Sequence, residues 1–142
     1  MENIQRHSFS KHSDGYGSLI ALEENGQIPF TVKRVYYIFG VDSEVRRGFH
    51  SHLKLQQMLI CVNGSVKILV KTPYEEEIIE LNDPSKGLYI GSMIWREMYD
   101  FSPGAVLLVI ADGHYDEADY IRDYSEYENM AKIYFNKNGD VT

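Results

Sequence analysis

The feature that most restricts the fold of this chain is a succession of short apolar runs, each punctuated by Gly, Pro or Asn. Residues 18–22 follow an Asp14-Gly-Tyr-Gly17 turn, and residues 32–39, β-branched and aromatic, end at Gly40. Further runs lie at 45–52, 57–62, 65–70, 77–81, 88–90, 93–99 and 105–111, with Pro84, Gly87, Gly91 and Pro103-Gly104 between them. Short strands repeating at roughly 8–12 residues predict an all-β sandwich or barrel. Asn63-Gly64, set between two apolar runs, predicts a tight hairpin. Beyond Ala118 the pattern changes: Ile121, Tyr124, Tyr127 and Met130 recur every third residue among Asp and Glu. That is a helical stripe, expected to pack outside the barrel. The residues from Asn136 onward read as a frayed end.

A length of 142 residues is that of one domain, with a barrel over about 15–112 and a helical segment over about 117–134. This is enough chain to bury a core without staples. An apolar content of 44% argues against disorder, and the eleven tyrosines suit strands and stacking surfaces. The single cysteine, Cys61, excludes a disulfide framework and lies in an apolar run, as a buried thiol would. The N-terminus carries no hydrophobic leader, and no run approaches the roughly 20 residues of a membrane span, so a soluble cytoplasmic protein is expected. A net charge of −7 argues against a nucleic-acid partner.

The chemistry concentrates in Gly48-Phe49-His50-Ser51-His52, followed by Gln57 and Gly64. Histidines at i and i+2 on a strand share a face, so a barrel can aim both at one point in its mouth. Around them Lys33, Arg34, Arg46, Arg47 and Lys54 stand against only Asp42 and Glu44. A local anion site for a phosphorylated small molecule is one reading; a solvated strand edge with surface ion pairs is the other. The motif resembles the first cupin motif, in which a Glu follows the histidine pair as a metal ligand. Here Gln57 holds that position, and Arg96 stands about where the second cupin motif supplies a further His. A neutral amide is a poor ligand and a guanidinium repels cations, so no metal or other cofactor is expected. Two unligated imidazoles with ordinary pKa values near 6.5 can take and return protons, as keto–enol isomerisation requires.

Longer segments carry a closer resemblance. Residues 33–38, 47–52, 87–91, 95–101 and 115–124 resemble the dTDP-4-keto-6-deoxyglucose 3,4-ketoisomerases, in a likeness running from about Gly15 to Tyr127. The resemblance implies an RmlC-like cupin barrel with a C-terminal helix and a metal-free isomerisation of a dTDP-sugar through an enediol. It also implies a homodimer with exchanged N-terminal strands, and a place in making 3-amino-3,6-dideoxy sugars for bacterial surface glycans such as O-antigen or S-layer chains. Carried over by position, His50 is the base at C3 and His52 its proton-moving partner. Tyr37 lies close to the sugar, with Arg96 and Tyr16 completing the catalytic set. Arg34 and Arg46 take the pyrophosphate, since a guanidinium can bind it bidentately. Arg47, Lys54, Gln57, Glu97 and Tyr99 complete the substrate-binding set. Ser51 departs from the Ala often found in relatives, a change between small residues. Tyr16 and Arg96, in place of Arg and His, resemble members that form the gluco product, dTDP-3-keto-6-deoxy-D-glucose.

Other readings share these residues. The galacto product needs only protonation of C4 from the other face. A 3,5-epimerase would begin with the same deprotonation and leave the ketone at C4. A binding module would use the histidines as ligand contacts only, and a metal-dependent cupin is disfavoured by Gln57 and Arg96. For the dimer there is also a physical argument, since an open barrel has strand edges to cover and residues 19–22 could cover a partner's.

Overall fold

The computed structural model describes residues 1–136. The strands run, in chain order, as β1 (Ile4–Ser8), β2 (His12–Asp14), β3 (Gly17–Leu19), β4 (Arg34–Phe39), β5 (Arg47–His52) and β6 (Gln57–Asn63). They continue as β7 (Val66–Lys71), β8 (Glu76–Leu81), β9 (Lys86–Ile90), β10 (Trp95–Tyr99), β11 (Val106–Ala111) and β12 (Tyr120–Ile121), before the helix α1 (Tyr124–Phe135). Two antiparallel five-stranded sheets form, one in the order β1-β9-β6-β11-β4 and the other β12-β5-β10-β7-β8. Between them lies an apolar layer that includes Leu59, Ile68, Val70, Leu88, Ile90, Ile94, Leu107 and Val109, each almost fully buried. The all-β expectation therefore holds, with strands close to the apolar runs.

Several expectations differ in detail. The first sheet begins at Ile4, well before the anticipated barrel start, because β1 pairs with β9 from Ile4↔Ile90 to Ser8↔Lys86. The 18–22 run joins neither large sheet: Ser18 and Leu19 end β3, which pairs with β2 in a separate two-stranded ribbon, exposed along its length. Asn63-Gly64 does not close a hairpin. β6 lies in one sheet and β7 in the other, so this turn carries the chain across the sandwich. Its shape is dictated by packing, since a Cβ on Gly64 (φ +76°) would collide with Ser102 Oγ, and Asn63 Nδ2 donates to Gly104 O at 2.7 Å.

The helix starts later than the stripe suggested. Residues Glu117–Asp119 form a short 3₁₀ turn, and Ile121 belongs to β12, which pairs with His52 and Ser51 of β5. Asp123 caps α1 by accepting from Glu126 N at 3.0 Å, satisfying an otherwise orphaned amide. Tyr127 and Ala131 are buried against Trp95, Met93 and Ile121 on the outside of the second sheet. The Tyr127 hydroxyl, 2.8 Å from Met93 O and 3.0 Å from Lys71 O, anchors the helix to it. The frayed end is expected from Asn136, which caps α1; residues 137–142 lie outside the described residues. Among the described residues, no helix is long and apolar enough to cross a membrane.

Candidate active site

The site is built where β5 meets β10. Arg96 pairs with His50 and Glu97 with Gly48, so Phe49 is the extra residue of a β-bulge. Gly48 (φ +95°) and Phe49 (φ 57°) both lie in the left-handed region, and a Cβ on Gly48 would come within 2.9 Å of Arg96 O. A bulge bends its strand and re-aims the side chains that follow it. Here the residues that follow are His50 and His52, whose rings meet edge to face at 5.0 Å. Tyr120, brought across by β12, packs against both, 5.1 Å from His50 and 4.4 Å from His52.

Beneath the histidines lies Arg96, fully buried. Its guanidinium donates from Nε and Nη2 to Ile94 O at 3.2 and 3.0 Å, and from Nη1 to Gln57 Oε1 in a short bond. Gln57 Nε2 donates in turn to Tyr36 Oη at 3.1 Å. None of these partners carries a formal charge. Burial lowers the Arg96 pKa to about 10, which leaves it a cation at neutral pH. Burial first, and the Arg96 charge second, hold His50 down to about 3 and His52 to about 2. Both imidazoles are therefore neutral at neutral pH, ready to accept protons beside a fixed positive charge. His52 Nδ1 lies 3.0 Å from Asp119 Oδ2, and Asp119 also accepts from Lys54 N at 2.9 Å and Leu55 N at 3.3 Å. A carboxylate at Nδ1 places the proton there and leaves the Nε2 lone pair free. His52 Nε2 is buried with no partner among the described residues.

Two adjoining cavities open here. One of about 500 Å³ is lined by His50, Tyr36, Arg34, Arg47, Tyr120 and Arg122. The other, about 530 Å³, is lined by His52, Lys54, Asp112, His114, Tyr115 and Asp119, and shares Arg34 and Tyr120 with the first. The volumes suit a small polar ligand with a pendant group. Arg34 stands on the shared wall, its guanidinium over Tyr36 at 5.2 Å and over Tyr115 at 5.8 Å. Arg122, paired with Glu117 at 2.9 Å, covers the Tyr120 ring at 4.2 Å.

Of the residues expected from sequence, the structure thus brings together His50, His52, Arg96, Gln57, Arg34, Arg47 and Lys54. Others lie elsewhere. Tyr37 projects from the outer face of β4, 62% exposed and stacked on Phe39, and reaches only the cavity rim. Its neighbour Tyr36 takes the inward place, because Arg34, Tyr36 and Ile38 share the half-buried face of the strand. Arg46, Glu97 and Tyr99 form a separate cluster on the outer face of β10. Arg46 Nε pairs with Glu97 Oε1 at 2.7 Å and sits over Tyr99 at 4.1 Å, while Trp95 Nε1 donates to Glu97 Oε2 at 2.8 Å. Strand alternation puts Arg96 inward and these three outward. Tyr16 is fully exposed at the tip of the β2–β3 ribbon. Sequence reasoning missed Asp119, Tyr120 and Arg122, which it placed in a helix.

A double-sheet barrel with a histidine pair aimed into its mouth defines an RmlC-like cupin, and the buried guanidinium puts a fixed positive charge beside that pair. Residues 2–132 match the family model described as "FdtA: WxcM-like, C-terminal". The chain belongs to this family. It is 47% identical over 133 residues, 93% of this chain and 96% of the relative, to a TDP-4-oxo-6-deoxy-alpha-D-glucose-3,4-oxoisomerase of Aneurinibacillus thermoaerophilus. It superposes with a TM-score of 0.94 on QdtA, a sugar 3,4-ketoisomerase from Thermoanaerobacterium thermosaccharolyticum in complex with TDP, at 56% identity over 95% of this chain and 98% of that one. The same enzyme has been solved with a histidine replaced by asparagine, bound to TDP-4-keto-6-deoxyglucose, and as a double mutant replacing a tyrosine by arginine and an arginine by histidine. The WlaRB TDP-quinovose 3,4-ketoisomerase of Campylobacter jejuni is similar at 47% identity and a TM-score of 0.88, over 91% of this chain and 99% of that one.

Proposed function

We propose that this protein is a sugar-nucleotide 3,4-ketoisomerase that converts TDP-4-keto-6-deoxyglucose to its 3-keto isomer. The observation that carries this reading is the pair of histidines, with His52 Nδ1 fixed by Asp119, held beside the buried Arg96, whose hydrogen-bond partners are all neutral. His50 removes the proton from C3, the electrons form the C3–C4 double bond, and negative charge develops on O4. The Arg96 field favours that charge. His52, with Nδ1–H bonded to Asp119, takes the O3 proton at Nε2 and delivers it to O4. Collapse of the enediol leaves the ketone at C3, and the proton held by His50 passes to C4. The net change moves one hydrogen from C3 to C4 and one from O3 to O4, with no external oxidant. Arg34, on the wall between the cavities, and Arg47 and Lys54 at their edges suit the diphosphate.

The gluco product is favoured by the presence of Tyr16 and Arg96, the residue types whose replacements distinguish the QdtA double mutant. Tyr16 stands fully exposed at the tip of the β2–β3 ribbon and lines neither cavity. An exposed ribbon at β2–β3, which ends at Leu19, is a natural arm for a homodimer. The compartment is taken to be the cytoplasm, where sugar nucleotides are made.

The test is proton NMR of the protein with freshly prepared TDP-4-keto-6-deoxyglucose. The expected result is a new 3-keto species with gluco ring couplings, abolished in His50→Asn while TDP binding persists. An unchanged spectrum with saturable binding would contradict catalysis, and galacto couplings would contradict the assigned face.

A further inference from the structure

We infer that Gly48 and Phe49 are positioning residues: the bulge they form puts Arg47 and His50 on one face of β5, so a single strand presents an anion-binding cation and the base to the same substrate. This rests on the ketoisomerase reading. Residues 47 and 50 are three apart, and on a regular strand side chains an odd number apart point to opposite faces. Yet both line the cavity of about 500 Å³. Their partners agree with that placement. Arg47 stands opposite Met98 and His50 opposite Arg96, and both partners are buried. Met98 and Arg96 are two apart on β10, so they share a face. The extra residue in the bulge reconciles three steps along β5 with two along β10.

The backbone that does this is strained, and packing of the Phe49 ring does not account for it. Phe49 (φ 57°) occupies the left-handed region that bulky residues seldom enter, with its ring 44% exposed. At Gly48 (φ +95°) a Cβ would stand 2.9 Å from Arg96 O and 3.1 Å from Glu97 Cα, so β10 closes against the bulge. Such conformations persist where their surroundings over-determine them, and they cluster at functional sites. The Gly48 backbone also hydrogen-bonds the His50 ring, which favours the protonated imidazole against the burial that opposes it. On the other side of the bulge, Arg47 forms no ion pair among the described residues, whereas Arg46 beside it is held by Glu97. The bulge therefore touches the base at one end and holds an uncommitted cation at the other.

The test is a cycle of variants read by turnover and by TDP affinity. Phe49→Val keeps an apolar side chain but disfavours the left-handed backbone, because β-branched residues avoid positive φ. Its kcat should fall on the order of 10²-fold, the effect of displacing a reacting group by about 1 Å. Its Kd for TDP should rise on the order of tenfold, as in Arg47→Ala, which deletes a charge-assisted contact. The double variant should bind TDP little more weakly than either alone. Phe49→Gly removes the ring but admits the left-handed backbone, and should stay within about threefold of the unaltered protein in both readouts. Gly48→Ala displaces the bulge by a second route and should match Phe49→Val. Unchanged kcat in Phe49→Val, equal losses in Phe49→Gly and Phe49→Val, or TDP losses that multiply in the double variant would overturn the role of the bulge. If the unaltered protein leaves TDP-4-keto-6-deoxyglucose unchanged, the ketoisomerase reading falls, and the TDP cycle still decides whether the bulge places Arg47.

Discussion

Two carboxylates make similar contacts on opposite sides of the second sheet. On the inner side Asp119 meets His52 at 3.0 Å, with the imidazole 1% exposed. On the outer side Glu97 meets Arg46 at 2.7 Å, with the guanidinium 39% exposed. The outer pair is closed on itself: both Glu97 oxygens are occupied by Arg46 and Trp95, and Arg46 rests on Tyr99. The inner contact is open. It fixes one imidazole nitrogen and leaves the other, His52 Nε2, buried and without a partner among the described residues. The same class of interaction therefore closes a surface cluster on one face and leaves an imidazole nitrogen free on the other. What separates them is solvent: a half-exposed ion pair is screened and worth little, while a buried imidazole keeps whatever proton arrangement its neighbour imposes.

The comparison breaks most visibly at Asp119. Asp119→Asn still offers an oxygen to the Lys54 amide but turns an N–H toward His52 Nδ1, favouring the wrong tautomer. Turnover should fall about 10²–10³-fold, within the range of general acid–base catalysis, with KM for the sugar nucleotide nearly constant. Near-normal turnover would show that the inner contact is structural, like the outer one. At the small end, Arg46→Ala should cost about 1 kcal/mol of stability in denaturant unfolding and leave KM unchanged. A large rise in KM would restore Arg46 to the diphosphate site and remove the distinction between the faces.

The fold was largely legible because strands announce themselves by short apolar runs, and His50 and His52 by their spacing. What escaped was which sheet each strand joins. Asn63-Gly64 has the local chemistry of a hairpin, yet its partner is the 102–105 loop, a contact no neighbouring residue encodes. The Tyr36/Tyr37 choice was readable: period-two alternation already placed Tyr36, and not Tyr37, on the face of Arg34. The same rule places Glu97 and Tyr99 opposite Arg96. Asp119 was harder. Residues 115–124 contain Asp and Glu at helical spacing, and nothing local reveals that Tyr120 and Ile121 pair with β5 and carry Asp119 beneath His52.

Burial and the Arg96 charge keep the imidazoles of His50 and His52 neutral, which sets a direction for acid stability. The unfolded histidines take up protons below about pH 6.5, and the folded ones resist down to about 3 and 2, so stability present above 6.5 is lost as pH falls through that window. The most direct test is an NMR titration of the imidazole nitrogens of His50 and His52 in the unliganded protein. Both should stay neutral from about pH 8 down to about 5, with His52 protonated at Nδ1. A midpoint near the ordinary value of about 6.5 for either ring would contradict a charge-suppressing site.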